Sequence, residues 1–168
     1  ESWIQNTTVQ NNILFFHKYD NDKYNKILNL CELKPDLDIL VGGDLTEIGE
    51  KGVNLSGGQK ARISIARAMY TDKDIFIFDD PISALDAHVG KNIMMNCIVN
   101  YLKNKTRILV THALQYVSHA DRIVYLHEGE IKWSGTYKEL LVQPFYAEFI
   151  NKINSYQDKK EANNNANN

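Results

Sequence analysis

Three short stretches of the chain combine residue types and spacings that could do chemistry. In Leu55-Ser56-Gly57-Gly58-Gln59, Ser56 can cap a helix and Gln59 can reach back as its capping-box partner. Gly57 and Gly58 leave that helix end bare, so its free N–H groups and the positive end of the helix dipole can meet a phosphate. Ser-x-x-Gln is also an ordinary helix start, and its company is what gives it meaning here. Asp79 and Asp80 follow the apolar run Ile75-Phe76-Ile77-Phe78. A carboxylate at the C-terminal edge of a parallel strand sits in the crevice where doubly wound sheets bind nucleotides. Asp79 can hold Mg²⁺ there, because this ion keeps most of its waters and takes one or two carboxylates plus phosphate oxygens. Asp80 could orient or deprotonate an attacking water. Successive side chains of an extended segment point to opposite faces, so the two carboxylates are not expected to act at one point. Ser83-Ala84-Leu85-Asp86 follows closely. His112, just past a second apolar run, could donate to a terminal phosphate or be a solvent-facing loop histidine.

The elements that must position these groups read as follows. Residues 3–16 are expected to be mixed and extended. Tyr24, Ile27, Leu28 and Cys31 recur at helical spacing up to the breaker Pro35. Glycines 42, 43, 49, 52, 57 and 58 make the next stretch a loop, ending where Ser56 begins a helix with Ala61, Ile65, Ala68 and Met69 on one face. The run 75–78 predicts a strand buried on both faces, stopped at Asp79 and Asp80 with Pro81 behind them. Met94, Cys97, Ile98, Tyr101 and Leu102 mark a helix and residues 107–111 a second strand, giving a βαβ unit with a parallel sheet. Residues 122–127 and 130–134 flank Glu128-Gly129, a hairpin signal. Thr136 and Glu139 form a capping box for one more helix. After Ile153 the sequence runs into Lys, Glu and Asn with nothing to bury, and residues 154–168 are expected to form a disordered tail.

Composition narrows the class. The 168 residues are 43% hydrophobic with a net charge of −2, enough apolar content for a core and no basic face for a nucleic acid. The apolar runs are far shorter than the roughly 20 residues of a membrane span. Cys31 and Cys97, distant in sequence and both on helix-like stretches, imply neither a metal pair nor a disulfide framework, and are expected to be reduced core thiols. With Glu1 first and no signal segment, the chain is expected to be a piece of a longer one.

Taken together, these motifs resemble ABC transporter nucleotide-binding domains. Residues 55–59 look like the family's signature motif, 75–80 like its Walker B strand, 83–86 like the D-loop, and His112 like the switch histidine, in the family's order. The similarity extends over the whole chain before the tail, since residues 3–6 and 12–15 resemble the segment after the Q-loop glutamine. Residues 46–52 are similar to the loop that precedes the signature in exporters. Trp3-Ile4-Gln5-Asn6 and Asp-Asp-Pro-x-Ser-Ala-x-Asp-Ala-His at 79–88 resemble the first nucleotide-binding domain of the multidrug-resistance-associated (C) subfamily.

The resemblance implies an α/β fold: part of a P-loop NTPase core with a parallel sheet (about 71–153) and a helical signature subdomain (about 22–70). It implies ATP and Mg²⁺ as ligands, with Asp79 at the metal, Asp80 and His112 in hydrolysis, and Ser56, Gly57, Gly58, Gln59 and Asp86 at the nucleotide. A second nucleotide-binding domain and membrane-spanning domains are the implied partners, at the cytosolic face of a membrane. The sequence holds no P-loop motif, so the chain alone is expected to be inactive. Where most of the family has Glu, this chain has Asp80, a carboxylate drawn back by one methylene, which implies a weakened site of its own. A regulatory nucleotide-binding module and a non-transporting ABC ATPase are the alternatives, the latter opposed by the lack of heptad arms.

Overall fold

Thr8 opens the first helix: its side chain accepts the Asn11 N–H at 3.0 Å, and Val9, Asn12 and Ile13 then recur at helical spacing on a buried face. In the computed structural model this is α1, Val9–Leu14, where the sequence suggested extended chain. It ends because Phe15 and Phe16 both take positive φ, 42° and 70°, an uncommon state for bulky residues. The structure describes residues 2–50, 52–147 and 150, so the expected tail lies outside the described residues. The chain divides into two compact units, one ending at Thr111 and the other beginning at His112.

In the first unit, strand β1 (Thr7–Thr8) pairs antiparallel with β2 (Glu47–Ile48). Helix α2, Asn21–Leu30, is capped by Asp20 and buries Tyr24, Ile27 and Leu28, as the spacing predicts. Pro35 does not end it. The helix stops at Leu30 and Glu32 turns the chain at φ 55°. Pro35 then sits in the first turn of α3, Lys34–Ile39, where its missing N–H leaves no bond unmade. Helix α4, Gly57–Tyr70, starts at Ser56 as predicted, packs against α1 and α2, and buries Ala61, Ile65, Ala66 and Met69, while Ala68 of the predicted face is only half-buried.

Strands β3 (Ile75–Asp79) and β4 (Thr106–Val110) pair in parallel, Ile75 opposite Thr106 and Asp79 opposite Val110. The crossover is α5, Ala87–Ile93, running straight into a π-helix over Met94–Tyr101. The wider π turn needs acceptors satisfied elsewhere, and Arg107 of β4 donates to the carbonyls of Ile98 (2.9 Å) and Val99 (3.0 Å). The prediction that β3 is buried on both faces needs correction. Phe76 and Phe78 are buried, whereas Ile75 and Ile77 are 61% and 72% exposed. Among the described residues, only one face of this strand pair is covered. A second finding concerns the cysteines: both are fully buried free thiols, but the fold brings their sulfurs to 3.9 Å.

The second unit begins with a 3₁₀ turn over Leu114–His119. The predicted hairpin follows as β5 (Ile123–His127) and β6 (Glu130–Gly135). Glu128 and Gly129 both have positive φ, 52° and 77°, the two-residue turn whose twist matches the flanking strands. The Thr136 and Glu139 capping box is present and opens α6, Tyr137–Leu140. The fold is α/β and includes a parallel strand pair, as expected.

Candidate functional site

The start of α4 is fixed from within the chain. Ser56 Oγ accepts the Gln59 N–H at 3.2 Å, and Gln59 Oε1 accepts the Ser56 N–H at 2.9 Å, completing the predicted capping box. The other end of the Gln59 amide donates to Asp36 Oδ1 of α3 at 3.0 Å. Asp36 Oδ2 in turn pairs with Arg62 at 2.8 Å, and Arg62 also donates to the Glu32 carbonyl. Both ends of Gln59 therefore brace the helix start. Ser56 and Gly57 face solvent, so the first N–H groups of a 14-residue helix stand open to an anion.

Gly58 is where the loop after β3 closes on α4. A Cβ there would lie 3.2 Å from the Ala84 carbonyl oxygen and 3.6 Å from Leu85 Cδ2, whereas one on Gly57 would meet only Ala84 Cβ at 3.9 Å. The fold thus brings Gly57 and Gly58 together with Ala84 and Leu85 within the first unit.

At the end of β3 the two carboxylates differ in setting, because Asp79 is the last strand residue and Asp80 has left the extended conformation. Asp79 is exposed, opposite Val110, on the same face as Ile75 and Ile77. Asp80 is half-buried and turned into the left-handed region at φ 43°. Its N–H donates to the Val110 carbonyl at 2.8 Å, and its carbonyl accepts from Ser83 N (3.3 Å) and Ser83 Oγ (2.9 Å). Asp86 caps α5: one carboxylate oxygen accepts the N–H groups of Val89 (2.9 Å) and His88 (3.0 Å). The Val89 bond above all holds this carboxyl below its usual range. His112 opens the second unit, exposed, with its carbonyl accepting the Leu114 N–H at 3.1 Å.

The donor set fits a hydrated hard cation near phosphate. No group of three His, Cys, Asp or Glu side chains gathers among the described residues, so there is no closed metal cage, and an exposed carboxylate at a strand end suits an ion that keeps its waters. An open cleft of about 670 Å³ lies elsewhere, lined by residues between Gln5 and His17. Sequence reasoning missed Asp36 and Arg62, and it singled out the 83–86 stretch without the approach of Ala84 to Gly58. Arg62 stands one helical turn from Gln59 and was legible as its neighbour, whereas Asp36, and the meeting of Ala84 with Gly58, join distant chain positions and leave no local signal.

Comparison with known proteins gives the family of the chain. Residues 1–83 match the family model described as ABC transporter, a span that holds the α4 start, β3 and the loop to Ser83. Over 144 residues the chain is 56% identical to the ABC transporter C family member 8 of Dictyostelium discoideum, covering 84% of this chain and 9% of that protein. It is 55% identical over 144 residues to the ATP-binding cassette sub-family C member 2 of Rattus norvegicus, with the same coverage. Against the Homo sapiens protein of that name it is 52% identical over 145 residues, covering 85% of this chain and 9% of the relative. The chain thus spans about a tenth of the length of these relatives. Among the described residues no helix is long and apolar enough to cross a membrane. With its α/β core and this sequence, the chain belongs to the ABC transporter family, as part of an ATP-binding domain of the C-subfamily kind.

Proposed function

We propose that the chain is the later part of the first nucleotide-binding domain of a C-type ABC exporter, working with a second such domain and with membrane-spanning domains at the cytosolic face. The observation that carries this is the open start of α4 set against Ala84 of the loop that follows Asp79 and Asp80. Gly57 and Gly58 present their N–H groups to ATP phosphates held by the partner domain, and the Ser56 hydroxyl, whose oxygen caps Gln59, donates its proton to the same phosphates. Gln59 braces that helix end through Asp36. Asp79 would hold Mg²⁺, which when bound would supply charge neutralisation at the phosphates. Asp80 accepts a proton from the attacking water, and His112 donates to the terminal phosphate. Asp86 shapes the loop by capping α5.

Asp80, one methylene shorter than the commoner Glu, makes this chain's own site the weaker of a pair. The same departure supports a second reading, a nucleotide-binding module that regulates rather than turns over. Site-resolved trapping of photoreactive ATP in the full-length protein tests both. The exporter reading expects ATP-dependent turnover that disappears with Gly57→Asp and trapping lost at the partner's site. The regulatory reading expects nucleotide occupancy without turnover at either site.

A further inference from the structure

Three sulfur atoms from three separate elements meet inside the first unit. Cys31 Sγ, just past α2, lies 3.9 Å from Cys97 Sγ of the π-helix and 3.7 Å from Met69 Sδ in the last turn of α4. Cys31 and Cys97 are fully buried and Met69 is 1% exposed. We infer that Cys31, Cys97 and Met69 form a binding site for a soft monovalent d¹⁰ ion of the Cu(I) type, with two thiolates and one thioether as ligands.

The ligand chemistry selects this class. Thiolate and thioether sulfur favour Cu(I) over hard ions. No histidine or carboxylate joins the two cysteines as a third ligand of that kind among the described residues, so neither a four-ligand zinc site nor an oxygen cage for Ca²⁺ or Mg²⁺ is formed. Distances agree as well. With metal–sulfur bonds of about 2.3 Å, sulfurs sharing one ion lie at most about 4.6 Å apart. The two observed separations correspond to angles of roughly 105–120° at the ion, so Cys31 needs little movement to share an ion with either neighbour.

Electrostatics set the condition under which the ion binds, namely that it displaces both thiol protons. The hydrogen bond to Cys97, burial, and the neighbouring thiol together push the Cys31 thiol well above its usual range, while Arg62 pulls it down. Two thiols this close in a dry core cannot both ionise unless a cation lies between them. Binding follows M⁺ + 2 R–SH → [M(SR)₂]⁻ + 2 H⁺, with no electron transferred. Met69 adds a lone pair and Arg62 offsets the residual negative charge. The bond from the Cys97 thiol to the Leu30 carbonyl, 3.1 Å, is given up in the exchange. The ion would pin α2, α4 and the π-helix to one point.

The test is titration of the full chain with Ag(I) alone, and with Cu(I) against a chromogenic chelator, in oxygen-free buffer. The expected result is one ion per chain, two protons released, a thiolate-to-metal ultraviolet band and a higher unfolding temperature. Cys31→Ala and Cys97→Ala should each weaken binding by more than the roughly 10- to 100-fold typical of losing a mere supporting partner. Because those variants leave cavities, Met69→Leu, close in volume, provides a folded control and should weaken binding about 10-fold while the two-proton release persists. Unchanged affinity in Cys31→Ala, uptake without proton release, or a Cys31–Cys97 disulfide forming in place of ion uptake would each overturn the proposal.

Discussion

The N–H of Asp80 donates to the Val110 carbonyl at 2.8 Å while Asp80 itself sits at φ 43°. One strand later in the sheet therefore fixes the direction in which the second carboxylate leaves the first strand. The left-handed region is best tolerated by Asp, Asn and Gly. Asp80→Asn should keep stability within about 0.5 kcal/mol of the parent, whereas Asp80→Val should lose about 1–3 kcal/mol to backbone strain. In the full-length protein, Asp80→Glu should raise hydrolysis at this domain's own site by about tenfold or more, within the 10²- to 10⁴-fold that a general base contributes. Asp80→Asn should change total ATPase only modestly, and Asp79→Asn should lower Mg²⁺-dependent nucleotide occupancy. Steady-state ATPase with site-resolved trapping checks all three. A large loss in Asp80→Asn would mean that Asp80 already works as a base.

Neighbouring glycines at the start of α4 should behave oppositely. Gly57→Ala has room and gains helix propensity, so it should be neutral or stabilising by up to about 1 kcal/mol. Gly58→Ala presses on the Ala84 carbonyl and should cost about 1–3 kcal/mol. Denaturant unfolding of the two variants side by side measures this; equal stabilities would mean that the loop at Ala84 yields freely.

Much of this arrangement was legible in the sequence because it is local. The capping boxes at Ser56 and Thr136, the Glu128-Gly129 turn and the helix over Tyr24–Leu28 each depend on residues within one or two turns of each other. What was not legible depends on packing at a distance. Ile75 and Ile77 look like core residues from their run alone, yet the described residues bury only the Phe76 and Phe78 side. Helix α1 is short, and Asn12 rather than an apolar residue completes its buried face; the backbone of Gln5, the Thr8 carbonyl and Arg67 of α4 together satisfy that buried amide. The meeting of Cys31 with Cys97 spans 66 residues, which no spacing rule reaches.

Arg67 is accordingly a strong test of how the first unit holds together. Its guanidinium donates to the Asn12 carbonyl (2.7 Å), Asn12 Oδ1 (2.8 Å) and the Trp3 carbonyl (3.1 Å), and lies over the rings of Trp3 (4.5 Å) and Phe15 (5.3 Å). Arg67→Ala removes one of the two donors to Asn12 Oδ1, leaving the Gln5 N–H, and takes away the donors to the Asn12 and Trp3 carbonyls; it should cost about 1–3 kcal/mol. Arg67→Lys keeps the charge but not the planar fork, and should recover less than half of that. Chemical denaturation followed by Trp3 fluorescence reads both effects.

The last prediction concerns the cap at Asp86 and acid. Its carboxyl is held below its ordinary value of 3.8, chiefly by the Val89 N–H and then by the His88 N–H. A group whose pKa is lower in the folded state binds fewer protons folded than unfolded. Its contribution is therefore complete above the unfolded pKa and is lost as the pH falls through the folded one. Asp86→Asn preserves a capping oxygen while removing the charge, so the difference between parent and variant isolates the ionised cap. That difference should be constant at neutral pH, shrink below about pH 4, and vanish once the folded carboxyl is protonated. Unfolding midpoints measured from pH 7 down to pH 2 for both proteins provide the check. A stability difference unchanged across that range would show that the carboxylate's charge contributes nothing to the cap.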